Sequence, residues 1–332
     1  MPKLPAIWPS TADAVWQIPT ADDWSIAIHV YGDPAVSRPA VALFHGALSN
    51  SRSFDVGGFG LAPFLRDRGY NAFSVDFRGR GHSLPPPWST GWTIDDLIQR
   101  DVPAAVAAIC RRAGVEQVHA VGHSLGGMAL FGALAIGSPG IDRVVTLGAS
   151  ATLDIPPTLR RVVEGLSHFS MIPIAALGEK MGFLARWIPH PLWRWCCNPH
   201  NVELEPFRLF LTCGSGDIAV RKMLHLKRIC DEGRLVSADG TVDYSSRMGM
   251  IRNPIHLFGA TADTFVAPRL IDHTATLLAS APTELTWCGQ AQGCEHDYGH
   301  LDLVLGKNAE QEVFAKIVDF LGLPPSQSTC NV

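Results

Sequence analysis

A short apolar run that leads into a glycine-framed serine constrains this chain more than any other stretch. Residues 118–121 are apolar enough for a buried strand, and residues 125–136 are typical of a buried helix that ends at Gly137. Between them, Gly122-His123-Ser124-Leu125-Gly126 fits the G-x-S-x-G pattern. Such a tight turn strains the backbone of its central residue, and the glycines leave room for neighbouring chain. We therefore expect Ser124 at the carboxyl end of a strand, beside the positive end of a helix. A glycine-rich helix start with an incidental serine is the alternative.

Segments of strand type and helix type alternate on both sides of this turn. Strand-type runs occupy residues 24–31, 41–44, 72–76, 144–147, 254–258 and 284–287, and helical spacing appears at 61–68, 103–113 and 308–321. Runs that are apolar on both faces, such as 41–44, are typical of a parallel sheet. The alternation predicts an α/β fold, in which a mostly parallel sheet is flanked by helices. Residues 24–31 alternate in polarity, so we expect them to form an antiparallel edge strand.

The alternation stops between residues 151 and 250. Helical segments continue there, but no convincing buried strand occurs. The simplest architecture is a core domain of residues 1–150 and 251–332 that is interrupted by a helical cap, residues 151–250. The cap contains three tryptophans, which form either its own core or a lining for an acyl group: Trp187, Trp193 and Trp195.

Composition restricts the partners of the chain. Its 332 residues carry a net charge of −4 without long charged runs, which argues against nucleic acid or an anionic membrane surface. The first residues do not resemble a signal segment, and no apolar stretch approaches the ~18 residues of a membrane-spanning helix. The eight cysteines include no CxxC pair, which indicates reduced thiols in a cytoplasmic protein, although Cys288 and Cys294 could bridge under oxidation. The oligomeric state is left open, with a homodimer among the alternatives.

Polar motifs follow several of the predicted strands at their carboxyl ends. They are His45-Gly46, the loop 76–83, the serine turn, and Asp263 with His300 after it. Together they resemble the α/β-hydrolase superfamily, in which the order serine, acid, histidine is found. The chain is most similar there to the acid-lipase (gastric and lysosomal) family and to polyhydroxyalkanoate synthase-like proteins. The residues that carry this likeness are the serine turn, Asp101-Val102-Pro103-Ala104-Ala105, Met223-Leu224-His225 and His300-Leu301-Asp302.

Chemistry and resemblance together suggest roles for these residues. A serine hydroxyl is a poor nucleophile at neutral pH, so it needs a base and a carboxylate that orients the base. We expect Ser124 to be the nucleophile, His300 the base and Asp263 the acid. His296 is the competing base, and Asp302 is the alternative acid.

The oxyanion of acyl transfer needs two preorganised hydrogen-bond donors. The backbone N–H groups of Ala47 and Leu125 are expected to supply them. His45 and the three tryptophans of the cap are candidates for contact with the substrate. Asp76, Arg78, His82 and His123 are expected to have structural roles.

The resemblance implies a serine hydrolase that cleaves a small-molecule ester, with a hydrophobic acyl group, through an acyl-enzyme. No cofactor or metal is expected, because the sequence has neither metal-ligand spacing nor a phosphate-binding glycine loop. An acyltransferase or thioesterase for coenzyme A or carrier-bound acyl groups is one alternative. A catalytically silent relative that binds an apolar ligand is another. Polymer synthesis is disfavoured because Ser124 stands where those synthases use cysteine.

Overall fold

A computed structural model describes residues 10–172, 195–214 and 217–322 of the chain. Trp187 and Trp193 lie outside these residues, so their predicted contact with substrate stays a prediction. Among the described residues, none of the helices combines the length and apolar character that crossing a bilayer requires.

An eight-stranded sheet forms the centre of the molecule. Its strands, in spatial order, are β1 (Ala14–Pro19), β2 (Ser25–Tyr31), β4 (Asn71–Asp76), β3 (Ala40–Phe44), β5 (Val118–His123), β6 (Ile141–Leu147), β9 (Ile255–Ala260) and β10 (Thr283–Cys288). The six strands from β4 to β10 pair in parallel, and β1 and β2 join antiparallel. This confirms the predicted α/β fold. Two further short strands, β7 (Met171–Ile172) and β8 (Ile218–Ala219), pair with each other.

The expectation that residues 24–31 form an edge strand was wrong. β2 pairs on one side with β4 and on the other with β1, which is the true edge. The signal of β1 is weak, because its six residues include Gln17 in the middle and end at Pro19, and most are exposed or half-buried. Both features are typical of strands at the edge of a sheet.

Helices cover both faces of the sheet. The α-helices of the described residues are α1 (Leu61–Asp67), α2 (Ile94–Asp96), α3 (Val102–Ala113), α4 (Leu125–Ala135), α5 (Pro157–Gly165), α6 (Leu204–Cys213), α7 (Val220–Glu232), α8 (Pro268–Leu277), α9 (Asp302–Leu305) and α10 (Ala315–Leu321). Side chains of α3, α4 and α8 belong to one apolar core, and those of α1, α9 and α10 belong to a second. A sheet with apolar layers on both sides explains why its central strands are buried on both faces.

The turn between β5 and α4 has the strained geometry that its sequence predicts. Ser124 has a φ of 53°, one of two positive values outside glycine among the described residues. A Cβ atom on Gly126 would lie 2.1 Å from the carbonyl oxygen of Phe44, and one on Gly122 would lie 2.4 Å from the amide nitrogen of Gly127. Glycine is therefore required at both positions, because neighbouring backbone fills the space of any side chain.

The segment between β6 and β9 is largely helical in its described parts. Lys227 on α7 binds Glu164 on α5 at 2.8 Å, which joins these two helices. Ile229, Leu235 and Met248 belong to the same apolar core as α4. The last part of the segment therefore packs directly on the α/β core, and the role of residues 151–250 as a cap stays a prediction.

Candidate active site

A buried histidine–aspartate pair lies at the carboxyl edge of the sheet. His300 Nδ1 is 2.7 Å from Asp263 Oδ2, and both residues are less than a tenth exposed. The other carboxylate oxygen accepts the N–H groups of Phe265 and Val266, at 2.8 and 2.9 Å. Burial raises the pKa of Asp263, but the charge of His300 and these hydrogen bonds outweigh it and lower the pKa overall. Because Nδ1 donates to the carboxylate, Nε2 of a neutral His300 carries the free lone pair.

The turn holds the backbone of Ser124, which follows His123, and the His123 ring contacts that of His300. The Ser124 N–H donates to the carbonyl oxygen of Leu147 at 2.9 Å, and its own carbonyl accepts the N–H of Met128 at 3.1 Å. The side chain is half-buried. Within the described chain, the Ser124 hydroxyl makes no hydrogen bond. The structure thus joins His300 directly to Asp263, and leaves Ser124 unbonded to either. Catalytic hydrogen bonds are often long before substrate binds.

His123 connects the serine turn to His300. Its ring lies 4.8 Å from the His300 ring, between centroids, and its Nε2 donates to the His300 carbonyl oxygen at 3.2 Å. Burial lowers the pKa of His123 to about 3, so the ring is neutral at physiological pH. The predicted structural role fits this geometry, because a neutral buried ring fixes the spacing between the turn and the loop of His300.

Gly148 was not singled out from the sequence, but its backbone packs against the pair. It follows β6 directly and has a φ of +55°. A Cβ atom there would lie 3.2 Å from His300 Nδ1 and 3.3 Å from Asp263 Oδ2. The one available signal was a glycine at the end of a buried strand, which is too common to identify a site.

The two N–H groups expected to bind an oxyanion belong to residues near Ser124. Leu125 is the first residue of α4, so its N–H has no partner within the helix. Ala47 follows Gly46, and a Cβ atom on Gly46 would lie 3.3 Å from the Cβ of Ser124. The loop that carries Ala47 therefore passes so close to the serine that a side chain on Gly46 would crowd it. Both assignments remain predictions.

His45 is enclosed by the protein. Its Nδ1 donates to the carbonyl oxygen of Gly46 at 2.8 Å, and its Nε2 accepts the N–H of Phe77 at 3.2 Å. Burial lowers the pKa of His45 to about 3. Both ring nitrogens are bonded inside the protein, so this arrangement favours a role for His45 in fixing the loop. Its contact with substrate stays a prediction.

The competing acid and base are engaged elsewhere. Asp302 accepts hydrogen bonds from the Asn201 side chain and the Asn198 N–H, each at 2.9 Å, and burial raises its pKa to about 6. His296 Nε2 lies 3.6 Å from the carboxylate of Glu295. These contacts favour His300 and Asp263 over the alternatives.

An aromatic path leads from the surface to His300. Trp195 is 67% exposed, and its ring lies 6.1 Å from that of Phe265. Phe265 in turn lies 5.2 Å from the His300 ring. An apolar group could therefore approach the histidine along these side chains.

One group with possible metal-ligand geometry occurs among the described residues, although sequence spacing does not reveal it. His29, Asp76 and His82 place their ligand atoms within 4.8 Å of one another. The Asp76 carboxylate already accepts hydrogen bonds from the His29 ring at 3.0 Å and from the N–H groups of Ser51 and His82. These bonds join β2, β4 and the following loop, which fits the structural role predicted for Asp76 and His82.

Comparison with known proteins agrees with this fold. Residues 39–176 match the family model described as the alpha/beta hydrolase fold. The chain is 22% identical to lipase member K of Mus musculus and to gastric triacylglycerol lipase of Bos taurus, over 85% and 86% of its length and about four fifths of theirs. A hydrolase from Pseudomonas aeruginosa superposes with a TM-score of 0.60 at 22% identity, covering 94% of this chain and 99% of that one. A monoacylglycerol lipase from Paleococcus ferrophilus superposes with a TM-score of 0.61 at 15% identity, covering 89% of this chain and 98% of that one.

The fold and these matches define an α/β hydrolase. The chain has the α/β-hydrolase fold and is similar over most of its length to the acid lipases, as its motifs suggested. It is thus lipase-like or esterase-like in its sequence and fold.

Proposed function

We propose that this protein is a serine hydrolase that cleaves a carboxylic ester with a hydrophobic acyl group. The observation that carries the proposal is the buried His300–Asp263 hydrogen bond of 2.7 Å beside a serine with a φ of 53°. Strained, part-exposed serines on such turns are suited to nucleophilic attack, and the bond to Asp263 leaves His300 Nε2 free to accept a proton.

The reaction proceeds in two halves. Ser124 Oγ attacks the acyl carbon while its proton passes to His300 Nε2, and the alcohol leaves with that proton. Water then attacks the acyl-enzyme, gives its proton to His300, and releases the acid as Ser124 recovers its proton. Asp263 stabilises the positive imidazole that forms between these steps.

Two backbone donors stabilise the negative oxygen of each tetrahedral intermediate. The N–H groups of Ala47 and Leu125 fill this role, and each such donor lowers the barrier by on the order of 3 kcal/mol. Their positions support the assignment: Leu125 begins α4 and Ala47 follows Gly46, whose Cα neighbours Ser124. The positive end of the α4 dipole also stabilises this negative oxygen.

The hydrophobic acyl group is supported by two further observations. The aromatic side chains of Trp195 and Phe265 lead to His300. The relatives are named as lipases, and an identity of 22% supports the class of substrate without fixing the acyl length.

The experiment is the substitution Ser124→Ala, assayed on 4-nitrophenyl butyrate. We expect turnover and labelling by a fluorophosphonate probe to be lost, while thermal unfolding stays close to that of the unmodified protein. His296→Ala is the control, because His296 lies outside the proposed machinery, and it should keep most of the activity. Unchanged turnover in Ser124→Ala would remove this serine from the mechanism. Product analysis with thioester donors and alcohol acceptors distinguishes hydrolysis from acyl transfer.

A further inference from the structure

Two buried cationic side chains converge on the carbonyl oxygen of Ala47. Arg80 Nη2 donates to it at 2.7 Å and Lys222 Nζ donates to it at 2.9 Å. Arg80 is 2% exposed and Lys222 is 3% exposed. Two like charges so close together, and so far from water, are costly unless a negative group compensates them.

Within the described part of the chain, no such group is bonded to them. Among the described residues, no carboxylate forms an ion pair within 4.0 Å with Arg80 or Lys222. Arg80 also has two buried nitrogens, Nε and Nη1, without any hydrogen-bond partner. Arg78 provides the contrast, because it is as deeply buried and binds both Asp101 and Asp22.

The electrostatics agree with this unpaired state. Burial lowers the pKa of Arg80 to about 10, although the charge of Asp217 acts in the opposite direction. Burial lowers the pKa of Lys222 well below its usual range, and the charge of Arg80 adds to this effect. An anion between them would favour the charged form of both.

The cations lie close to the proposed catalytic serine. Ala47, whose carbonyl they share, follows Gly46, and a Cβ atom on Gly46 would lie 3.3 Å from the Cβ of Ser124. The carbonyl oxygen that both cations bind therefore belongs to the residue that follows the one beside Ser124. Arginine and lysine are the side chains that bind carboxylate and phosphate groups most strongly.

We propose that Arg80 and Lys222 form a subsite for a carboxylate or phosphate group on the ester substrate. The inference rests on the proposed function, since the charged group must belong to an ester cleaved at Ser124. The enzyme then prefers esters that carry a negative charge a few atoms from the scissile bond. A purely structural role, in which the two cations only hold the Ala47 loop, would affect charged and neutral esters equally.

The test compares three 4-nitrophenyl esters with chains of similar length: the hemiester of adipic acid, its methyl ester, and the ester of 5-phosphonovaleric acid. The measured quantity is kcat/KM of each anionic ester divided by that of the neutral methyl ester. Lys222→Met should lower this ratio at least about tenfold, because a charge-assisted hydrogen bond is lost. The carboxylate and phosphonate esters show which anion is preferred.

Lys227→Met is the matched control. Lys227 lies on the same helix, α7, but it binds Glu164 and Asp231 at the surface. This variant removes the same charge without touching Ala47, so its ratio should equal that of the unmodified protein.

A second measurement needs no variant. Adipate should inhibit hydrolysis of the neutral ester competitively, and dimethyl adipate should inhibit it less. The proposal is overturned if the ratio is the same in Lys222→Met and Lys227→Met and if adipate inhibits no better than its dimethyl ester. Loss of neutral-ester turnover in Ser124→Ala tests the proposed function separately, so the two proposals fail independently.

Discussion

The substitution Asp263→Asn tests the proposed mechanism most directly. The Asp263 side chain is fully buried, and its Oδ2 is 2.7 Å from His300 Nδ1. In the variant, the amide oxygen can still accept the N–H groups of Phe265 and Val266, so the loop keeps its conformation. The amide nitrogen then faces Nδ1, and two donors cannot bond to each other.

The imidazole must respond by changing its tautomer. Nδ1 becomes the acceptor and Nε2 carries the proton, so Nε2 loses the lone pair that accepts the serine proton in the proposed mechanism. The carboxylate that stabilises the positive imidazole is lost as well. In a Ser-His-Asp site, this change lowers kcat by about 10⁴, or about 5.5 kcal/mol in the barrier.

The assay is kcat/KM for 4-nitrophenyl butyrate, with thermal unfolding as the control for folding. Asp302→Asn is the comparison variant, because the sequence leaves Asp302 as the alternative acid and its oxygens bind Asn198 and Asn201 instead. It should keep most of the activity. A fall of less than about tenfold in a folded Asp263→Asn protein would refute the assignment of the acid. A large fall in Asp302→Asn alone would transfer the role to that residue.

Two further predictions concern stability. The pKa of Asp302 rises from 3.8 to about 6 on folding, so its contribution to stability is fully present below pH 3.8 and is lost as pH rises through 6. Between pH 4 and 7, unfolding free energy should therefore fall by up to about 3 kcal/mol in the unmodified protein relative to Asp302→Asn, as denaturant titrations at each pH would measure. Arg78→Met should cost about 3–5 kcal/mol, because the carboxylate of Asp101 stays buried without its partner. The double variant Arg78→Met/Asp101→Asn should be more stable than Arg78→Met alone when both are unfolded with denaturant. Equal stability of the two would contradict the pairing.

Local pattern predicted seven of the eight strands of the sheet, several of the helices and the serine turn. Strands buried on both faces carry continuous apolar runs, and the β5–α4 turn carries glycines where a Cβ atom would meet backbone. Such signals depend on residues near one another in sequence, so they can be read without coordinates. β1 escaped this reading, because an edge strand buries little and its pattern is correspondingly weak.

The sequence by itself determined the α/β class and the order of Ser124, Asp263 and His300 along the chain. Only the tertiary structure decided that Asp263, and not Asp302, contacts His300, and that Gly148 packs against the pair. It alone brought Lys222 to Ala47 across 175 positions. The physical reason is that periodicity records which side of an element is buried, whereas contacts between distant loops depend on how whole elements pack, which no local pattern encodes.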